Sequence, residues 1–126
     1  MMKNVNVNVN VKELDRGVIA MVELPEGKGS VQGGLRPCVI VSNSASCKYS
    51  PVVICVPLSS NINKKKLPTH AIIKPNPRNN RLKRASVALC EQIITITKDS
   101  IRFITGKIEG EDCERINECM KISLSL

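Results

Sequence analysis

Residues 29–43 read GSVQGGLRPCVIVSN and join a glycine-rich polar stretch to a continuous apolar run. The run Cys38–Asn43 shows no polar alternation, which predicts a strand buried on both faces. Its Val and Ile side chains suit a pleated surface. The stretch before it, Pro25–Pro37, predicts a long polar loop, and Arg36 beside Pro37 predicts a cation held at the mouth of the strand.

Apolar runs on either side of this segment predict the other strands. They are Arg16–Leu24, Pro51–Leu58 (again buried on both faces), Thr69–Ile73 and Ser86–Ile96, the last as one strand or as two bent at Glu91 and Gln92. Residues 44–50 predict a turn. The connections Ser59–Pro68 and Lys74–Ala85 predict basic loops, on which function is expected to lie.

The C-terminal segment changes to a helical period. Apolar residues recur at spacings of three, four and four, and acidic residues fill the first turn, where the helix dipole favours them. The apolar positions are Cys113, Ile116, Met120 and Leu124. The whole pattern predicts a mainly β (α+β) fold, a small barrel or sandwich of five to seven strands with long loops and a C-terminal helix.

The chain is predicted to contain one domain. Residues 4–11 are four Asn-Val repeats, so residues 1–14 predict a low-complexity N-terminal tail and residues 15–126 a single domain. We find no apolar stretch long enough for a membrane span and no leader, so we expect a cytoplasmic protein whose six cysteines stay reduced. With one histidine and no close cysteine pair, we expect no metal site and no cofactor.

Charge is distributed very unevenly along the chain. The net charge is +8, yet residues 27–90 contain eleven Lys and Arg and no Asp or Glu. A long block without any carboxylate predicts a polyanionic partner. The chain has only Tyr49, Phe103 and no Trp, too few aromatics for the base-stacking platform of most single-strand binders. A groove that grips phosphates is therefore the favoured prediction.

The same block limits the chemistry. Two-metal phosphodiester cleavage needs clustered carboxylates, so a nuclease built from this block should work without metal. RNA permits this because its own 2′-hydroxyl can attack the neighbouring phosphate. The protein then positions the chain and stabilises the added negative charge. Arg36 suits the charge role but not the role of general base, because its pKa is too high.

Five blocks together resemble the MazF/PemK family of toxins from bacterial toxin–antitoxin pairs. They are RGVIAMVEL, GSVQGGLRPCVIVSN, YSPVVICVPLSS, KKKLPTHAII and SVALCEQIITI, in the family's order from about Arg16 onward. The resemblance implies an SH3-like barrel with a C-terminal helix that forms a homodimer. It also implies a sequence-specific, metal-independent endoribonuclease that cuts single-stranded RNA, chiefly messenger RNA, and inhibits growth. The expected ends are a 2′,3′-cyclic phosphate (or 3′-phosphate) and a 5′-hydroxyl, and a cognate antitoxin with a flexible acidic tail is the expected protein partner.

The family's catalytic pair falls on Arg36 and Ser59. Ser59 stands where the family usually has Thr, so the hydroxyl is kept, and Ser60 beside it could share the role. Ile94 stands where relatives often carry Arg, which removes one phosphate contact. His70 and Gln92 are interpreted as structural or supporting residues. The further candidates for RNA binding are Lys28, Gln32, Ser60, Lys64, Lys65, Lys66, Arg78, Arg81, Lys83 and Arg84, and Gln32 could either read a base or hold its loop.

A second class of function stays open at this point. Gyrase-poisoning toxins share the fold and cut nothing, and a relic of the family could bind nucleic acid without cleaving it. The ordinary amphipathic C-terminal helix and the retained Arg36 and Ser59 favour the nuclease.

Overall fold

The computed structural model describes residues 13–62 and 66–126, so Lys64, Lys65 and nearly all of the predicted tail lie outside the described residues. Seven strands and two helices follow one another along the chain. In order they are β1 (Val18–Leu24), β2 (Gly34–Ile40), α1 (Ser44–Tyr49), β3 (Val52–Ser59), β4 (His70–Ile73), β5 (Ser86–Leu89), β6 (Ile94–Thr97), β7 (Ile101–Lys107) and α2 (Glu111–Leu124).

All recorded strand pairings are antiparallel. The order across the sheet is β4-β5-β3-β2-β1-β7, and β6 pairs with the first half of β3 on the edge opposite β2. The predicted mainly β fold with a C-terminal helix is confirmed, at the upper end of the predicted strand number. The bend at Glu91 and Gln92 is also confirmed, because a turn there separates β5 from β6. Strand β7 had no individual prediction, since its apolar pattern is broken by two bulges against β1.

The core consists of two apolar clusters on opposite faces of the central strands. On β1, Val18, Ala20, Val22 and Leu24 point into the first cluster, whereas Ile19 points into the second, beneath α2. Residues 38–41 on β2 and just after it are all buried, as predicted for a strand covered on both faces. The same prediction for the strand after Pro51 is only half right, because Val52 and Ile54 at its start are exposed.

The predicted loop Pro25–Pro37 ends earlier than expected. Strand β2 begins at Gly34, so Arg36 and Pro37 lie inside the strand, opposite Val22 and Met21 of β1. Gly34 and Pro37 are residue types typical of loops, so the sequence predicts a longer loop than the structure has. Recorded pairing with β3 starts only at Cys38, so Pro37 lies where β2 has a neighbour on one side, a position that tolerates proline.

The helices differ in detail from the predictions. Residues 44–50, predicted as a turn, form the short helix α1, whose first free N–H groups are capped by Asn43. In α2 the buried residues are Ile116 and Cys119, while Leu124 is 55% exposed, so the predicted apolar face is wrong at its end. The helix closes with Ser125 in the left-handed conformation, which turns the last residues away from the core.

All six cysteines are free thiols, and five of them are buried. Burial raises the pKa of Cys90 to about 12, with a further contribution from its neighbour Cys119. Hydrogen bonding to Cys55, followed by burial, raises the pKa of Cys38 well above its ordinary range. In the described part of the chain, no helix is long and apolar enough to cross a membrane.

Candidate nucleic-acid interface

Strand register brings the two predicted catalytic residues to one row of the sheet. Strands β2 and β3 pair Ile40 with Cys55 and Cys38 with Pro57. The Cys38–Pro57 pair is the last one between the two strands, and Arg36 and Ser59 each lie two residues beyond it. Side chains two residues apart along a strand share a face, so both residues belong to the same face and the same end of the sheet. Ser59 is in turn paired with Val87 of β5. The β1–β2 and β4–β5 loops leave from this end.

Arg36 is half-buried and held by one end of its guanidinium. Its Nε donates to the carbonyl oxygen of Gly33 at 3.0 Å. Within the described residues, its terminal nitrogens make no hydrogen bond or ion pair. A guanidinium fixed through Nε keeps the two terminal N–H groups available for a phosphate, which it can bind through parallel hydrogen bonds.

Ser59 is the last residue of β3 rather than a residue after it, and it is 6% exposed. Its Oγ accepts a hydrogen bond from the backbone N–H of Asn61 at 3.2 Å. That bond leaves the hydroxyl hydrogen free to be donated. Ser60, the other candidate hydroxyl, is exposed and lies in the loop that follows.

Gln92 fastens the glycine-rich loop to the turn between β5 and β6. Its Oε1 accepts from the backbone N–H of Gln32 at 2.8 Å, and its Nε2 donates to the carbonyl of Ser30 at 2.8 Å. The loop then reaches Gly33, whose carbonyl holds Arg36. Both ends of the Gln92 carboxamide thus bond to the loop that leads to Arg36, rather than to the barrel backbone as expected.

The backbone and the side chain of Gln32 have different surroundings. Its backbone N–H is held by Gln92, but its side chain makes no hydrogen bond within the described residues. Its Oε1 is buried and lacks a partner there. Loop holding thus belongs to the backbone of Gln32 and the side chain of Gln92, and the carboxamide oxygen of Gln32 is a buried acceptor without a partner in the described residues.

His70 is engaged in a local network away from Arg36. Its Nε2 lies 2.9 Å from Oε2 of Glu91, and Thr69 donates to the other carboxylate oxygen at 3.1 Å. Burial is the largest single influence on Glu91 and raises its pKa. The hydrogen bonds from His70, the backbone and Thr69, with the charge on His70, outweigh burial and bring the pKa below its ordinary value of 4.5. The pairing Ser59–Val87–Ile72 leaves His70 two strands and two residues from Ser59.

The remaining predicted cations are exposed, and in the described part of the chain none of them forms an ion pair. They are Lys28, Lys66, Arg78, Arg81, Lys83 and Arg84. Cations outside the acid-free block behave differently, because Lys107, Arg115 and Lys121 all face a carboxylate. The candidate surface thus keeps its positive charge uncompensated.

These cations do not all belong to one groove. Lys83 and Arg84 directly precede β5, whose Val87 pairs with Ser59. Arg78 and Arg81 instead line a cleft against the end of β7, together with Val18. Val18 lies four residues along β1 from Val22, the partner of Arg36, which corresponds to about 13 Å.

The sequence prediction missed two supporting groups. Glu91 is the first carboxylate after the acid-free block, a signal that could have marked it as the partner of His70. The carbonyl of Gly33 gives no sequence signal beyond its place three residues before Arg36. Among residues 13–62 and 66–126, no group of three or more His, Cys, Asp or Glu is arranged to hold a metal ion.

Fold and site together define a small antiparallel β protein with a basic surface built around an arginine and a serine. Residues 15–124 match the family described as PemK-like, MazF-like toxin of type II toxin–antitoxin system. The chain belongs to this family. It is 37% identical over 111 residues to Endoribonuclease MazF of Staphylococcus saprophyticus subsp. saprophyticus, covering 88% of this chain and 91% of that protein.

Solved structures agree on the fold. MazF from Deinococcus radiodurans superposes with a TM-score of 0.72 at 18% identity, covering 89% of this chain and 96% of that chain. An endoribonuclease in complex with its cognate antitoxin, from a mycobacterial species, gives a TM-score of 0.68 at 23% identity, covering 89% and 95%. At 18% and 23% identity, these two structures support a shared fold and nothing further.

Proposed function

We propose that this protein is the endoribonuclease toxin of a toxin–antitoxin pair, and that it cuts single-stranded messenger RNA in the cytoplasm at a short preferred sequence without a metal ion. The observation that carries the proposal is that Arg36, with its terminal N–H groups free, and Ser59 each lie two residues beyond the last β2–β3 pair, within a stretch of sequence, residues 27–90, that contains no carboxylate. The curated relative named Endoribonuclease MazF supports the same reaction class.

In the proposed reaction, the 2′-oxygen of one nucleotide attacks its own 3′-phosphorus as its proton leaves. The bond from phosphorus to the 5′-oxygen of the next nucleotide breaks, and that oxygen takes up a proton. The products are a 2′,3′-cyclic phosphate and a 5′-hydroxyl. The terminal N–H groups of Arg36 donate to the phosphate oxygens as negative charge builds, and the free Ser59 hydroxyl donates beside them.

Specificity is assigned to the loop that Gln92 holds. Gln32 reads a base edge in this proposal, which requires its carboxamide, whose Oε1 is buried without a hydrogen-bond partner, to turn toward the RNA. Attraction along the RNA backbone comes from four cations, Lys28, Lys66, Lys83 and Arg84. The proposed set is completed by residues of the same segment as Lys66, residues 59–68, namely Ser60, Lys64 and Lys65. His70 is kept as a supporting residue, because Glu91 already binds its Nε2.

The test is cleavage of a long unstructured RNA by purified protein in excess EDTA, with the 5′-hydroxyl ends mapped by sequencing. We expect cuts at one short motif and terminal 2′,3′-cyclic phosphates. Intact RNA in both EDTA and Mg²⁺ buffers would refute the nuclease assignment. A gyrase supercoiling assay run in parallel would then identify the non-cleaving class of toxin.

We also propose an antitoxin partner and a homodimer. An acidic, flexible antitoxin tail would complement the unpaired cations around Arg36 and exclude RNA.

A second copy would cover the apolar cleft of about 380 Å³ between β3 and α2, where Ile54, Leu124 and Leu126 are exposed. Sedimentation should show a dimer that Leu124→Asp dissociates and Leu67→Asp, at an exposed loop leucine, leaves intact. An unchanged dimer for Leu124→Asp would exclude this face.

A further inference from the structure

The tip of the loop between β4 and β5 forms a cleft of its own. This cleft is separate from Arg36 and Ser59 at the ends of β2 and β3, which we call the Arg36 row. This tip cleft has a volume of about 360 Å³, and its lining includes Arg78, Arg81 and Lys107. We propose that the tip cleft is a second RNA-binding site, which takes a backbone phosphate of the same RNA strand away from the cut. The proposal rests on the proposed RNA-cleaving function and adds a separate site to it.

The tip is held rigidly by asparagine side chains. Asn80 is fully buried, its Oδ1 accepts from the backbone N–H groups of Asn76 and Leu82 at 2.9 and 3.0 Å, and its Nδ2 donates to Lys74 at 2.9 Å. The carbonyl of Asn79 then accepts from the backbone N–H of Lys107 at 2.9 Å. A loop so thoroughly bonded positions its arginines, as a binding site requires.

Gly106 of β7 lets the tip come this close. A Cβ at Gly106 would lie 2.5 Å from the carbonyl oxygens of both Asn79 and Asn80. Any side chain there would push the tip away from β7. The contact between loop and strand is therefore built into the sequence rather than a chance approach.

Arg81 occupies a backbone conformation that favours glycine. Its φ is +55°, and the other described non-glycine residue with positive φ is Ser125 at the end of α2. Glycine or asparagine would adopt this conformation at lower cost. Arg81 is exposed and, within the described residues, its side chain makes no hydrogen bond or ion pair that would offset the cost of this backbone conformation. A strained residue whose side chain serves no internal contact points to a ligand.

The surroundings of Arg81 favour RNA over an acidic protein segment. Glu13 and Glu109 also line the cleft, but neither forms an ion pair with Arg78 or Arg81. Three cations, Arg78, Arg81 and Lys107, outnumber these two carboxylates in the lining. A flexible acidic segment that orders on binding would need more apolar contact than this. A phosphodiester needs only the donors that are present.

The position of the cleft predicts a dependence on RNA length. It borders Val18, whereas Arg36 pairs with Val22, about 13 Å farther along β1. An RNA that only fills the Arg36 row cannot reach the tip cleft. A longer strand can occupy both sites at once and gains affinity from the second contact.

The experiment measures binding of fully 2′-O-methylated RNA, which cannot be cut and so reports on binding even if the protein is not a nuclease. A dinucleotide, whose single phosphate can occupy only one of the two sites, is compared with an oligonucleotide of about 24 nucleotides, which is long enough to occupy both. We expect Arg81→Gly and Arg81→Asn to weaken binding of the long RNA about three- to tenfold and to lower its salt slope by about 0.7. Binding of the short RNA should not change.

Three controls keep the result interpretable. Arg81→Lys keeps the charge and should retain most of the affinity, and Arg102→Gln removes a charge from β7 outside the cleft and should have little effect. The melting temperature of Arg81→Gly should equal or exceed that of wild type, because glycine suits this backbone. Binding of a polyglutamate peptide, a model of an acidic protein segment, is measured in the same way. Equal losses on both RNAs, no loss on either RNA, or a loss of peptide binding alone would overturn the proposal.

Discussion

At the scale of single residues, the candidate site depends on which atoms are already engaged. Arg36 and Ser59 each use one atom for internal hydrogen bonds and leave another group free for substrate. Gln92 uses both ends of its carboxamide on the loop before Arg36. Catalytic and supporting roles are thus distributed among neighbouring polar residues by hydrogen-bond satisfaction.

Gln92→Leu should free the glycine-rich loop while leaving the fold intact. We expect the cleavage rate to fall about tenfold, because a cation displaced by about 1 Å loses much of its effect. Hydrogen exchange at the Gln32 amide should accelerate, since its acceptor is removed. Gln92→Glu keeps that acceptor and loses only the donor to Ser30, so it should fall between Leu and wild type. An unprotected Gln32 amide in the wild type would contradict the assignment.

Ser59→Ala and Ser60→Ala test which hydroxyl the site uses. Ser59 shares a face and an end of the sheet with Arg36 and Ser60 is in the exposed loop, so we expect at least a tenfold loss for Ser59→Ala and less than about twofold for Ser60→Ala. Ser59→Thr should retain activity because the hydroxyl stays. Cleavage rates under single-turnover conditions make the comparison. The reverse ranking would assign the role to Ser60.

At the scale of elements, two loops are rigid for different reasons. The β1–β2 loop is tied by one side chain of another element, Gln92. The β4–β5 loop is tied internally by Asn80 and packed on Gly106. Each arrangement fixes the position of an arginine.

Asn80→Ala should destabilise the β4–β5 loop and the whole domain. Three hydrogen bonds of the fully buried Asn80 side chain are lost, which costs about 2–3 kcal/mol in the free energy of unfolding. Asn61→Ala, at an exposed asparagine, should cost less than about 0.5 kcal/mol. Urea unfolding monitored by circular dichroism measures both. Equal stability of the two variants would contradict the central place of Asn80 in this loop.

The Glu91 network predicts a pH dependence of stability. Because the folded pKa of Glu91 is below its ordinary value of 4.5, the unfolded chain binds a proton more readily as the pH falls. The stabilisation is therefore complete above about pH 5 and is lost as the pH drops through the folded pKa. The difference in unfolding free energy between wild type and Glu91→Gln should shrink from pH 6 to pH 3. Glu26→Gln, at an exposed glutamate, controls for charge loss, and a difference independent of pH would contradict the prediction.

At the scale of the whole molecule, the sequence could predict the class of fold and the chemistry of the surface. Unbroken apolar runs identified β2 and the second half of β3, and period and acidic first turn identified α2. Strand register could not be predicted, because it depends on pairings between distant segments. That is why Arg36 was expected in a loop and why Arg78 and Arg81 were grouped with it.

The central claim is that Arg36 stabilises the transition state of a metal-free cleavage. The most direct measurement is the single-turnover cleavage rate of Arg36→Ala against wild type, in EDTA and with saturating protein. The account predicts a rate at least about 100-fold lower, a much smaller loss of RNA affinity, and partial recovery in Arg36→Lys. A rate for Arg36→Ala within about threefold of wild type would contradict it.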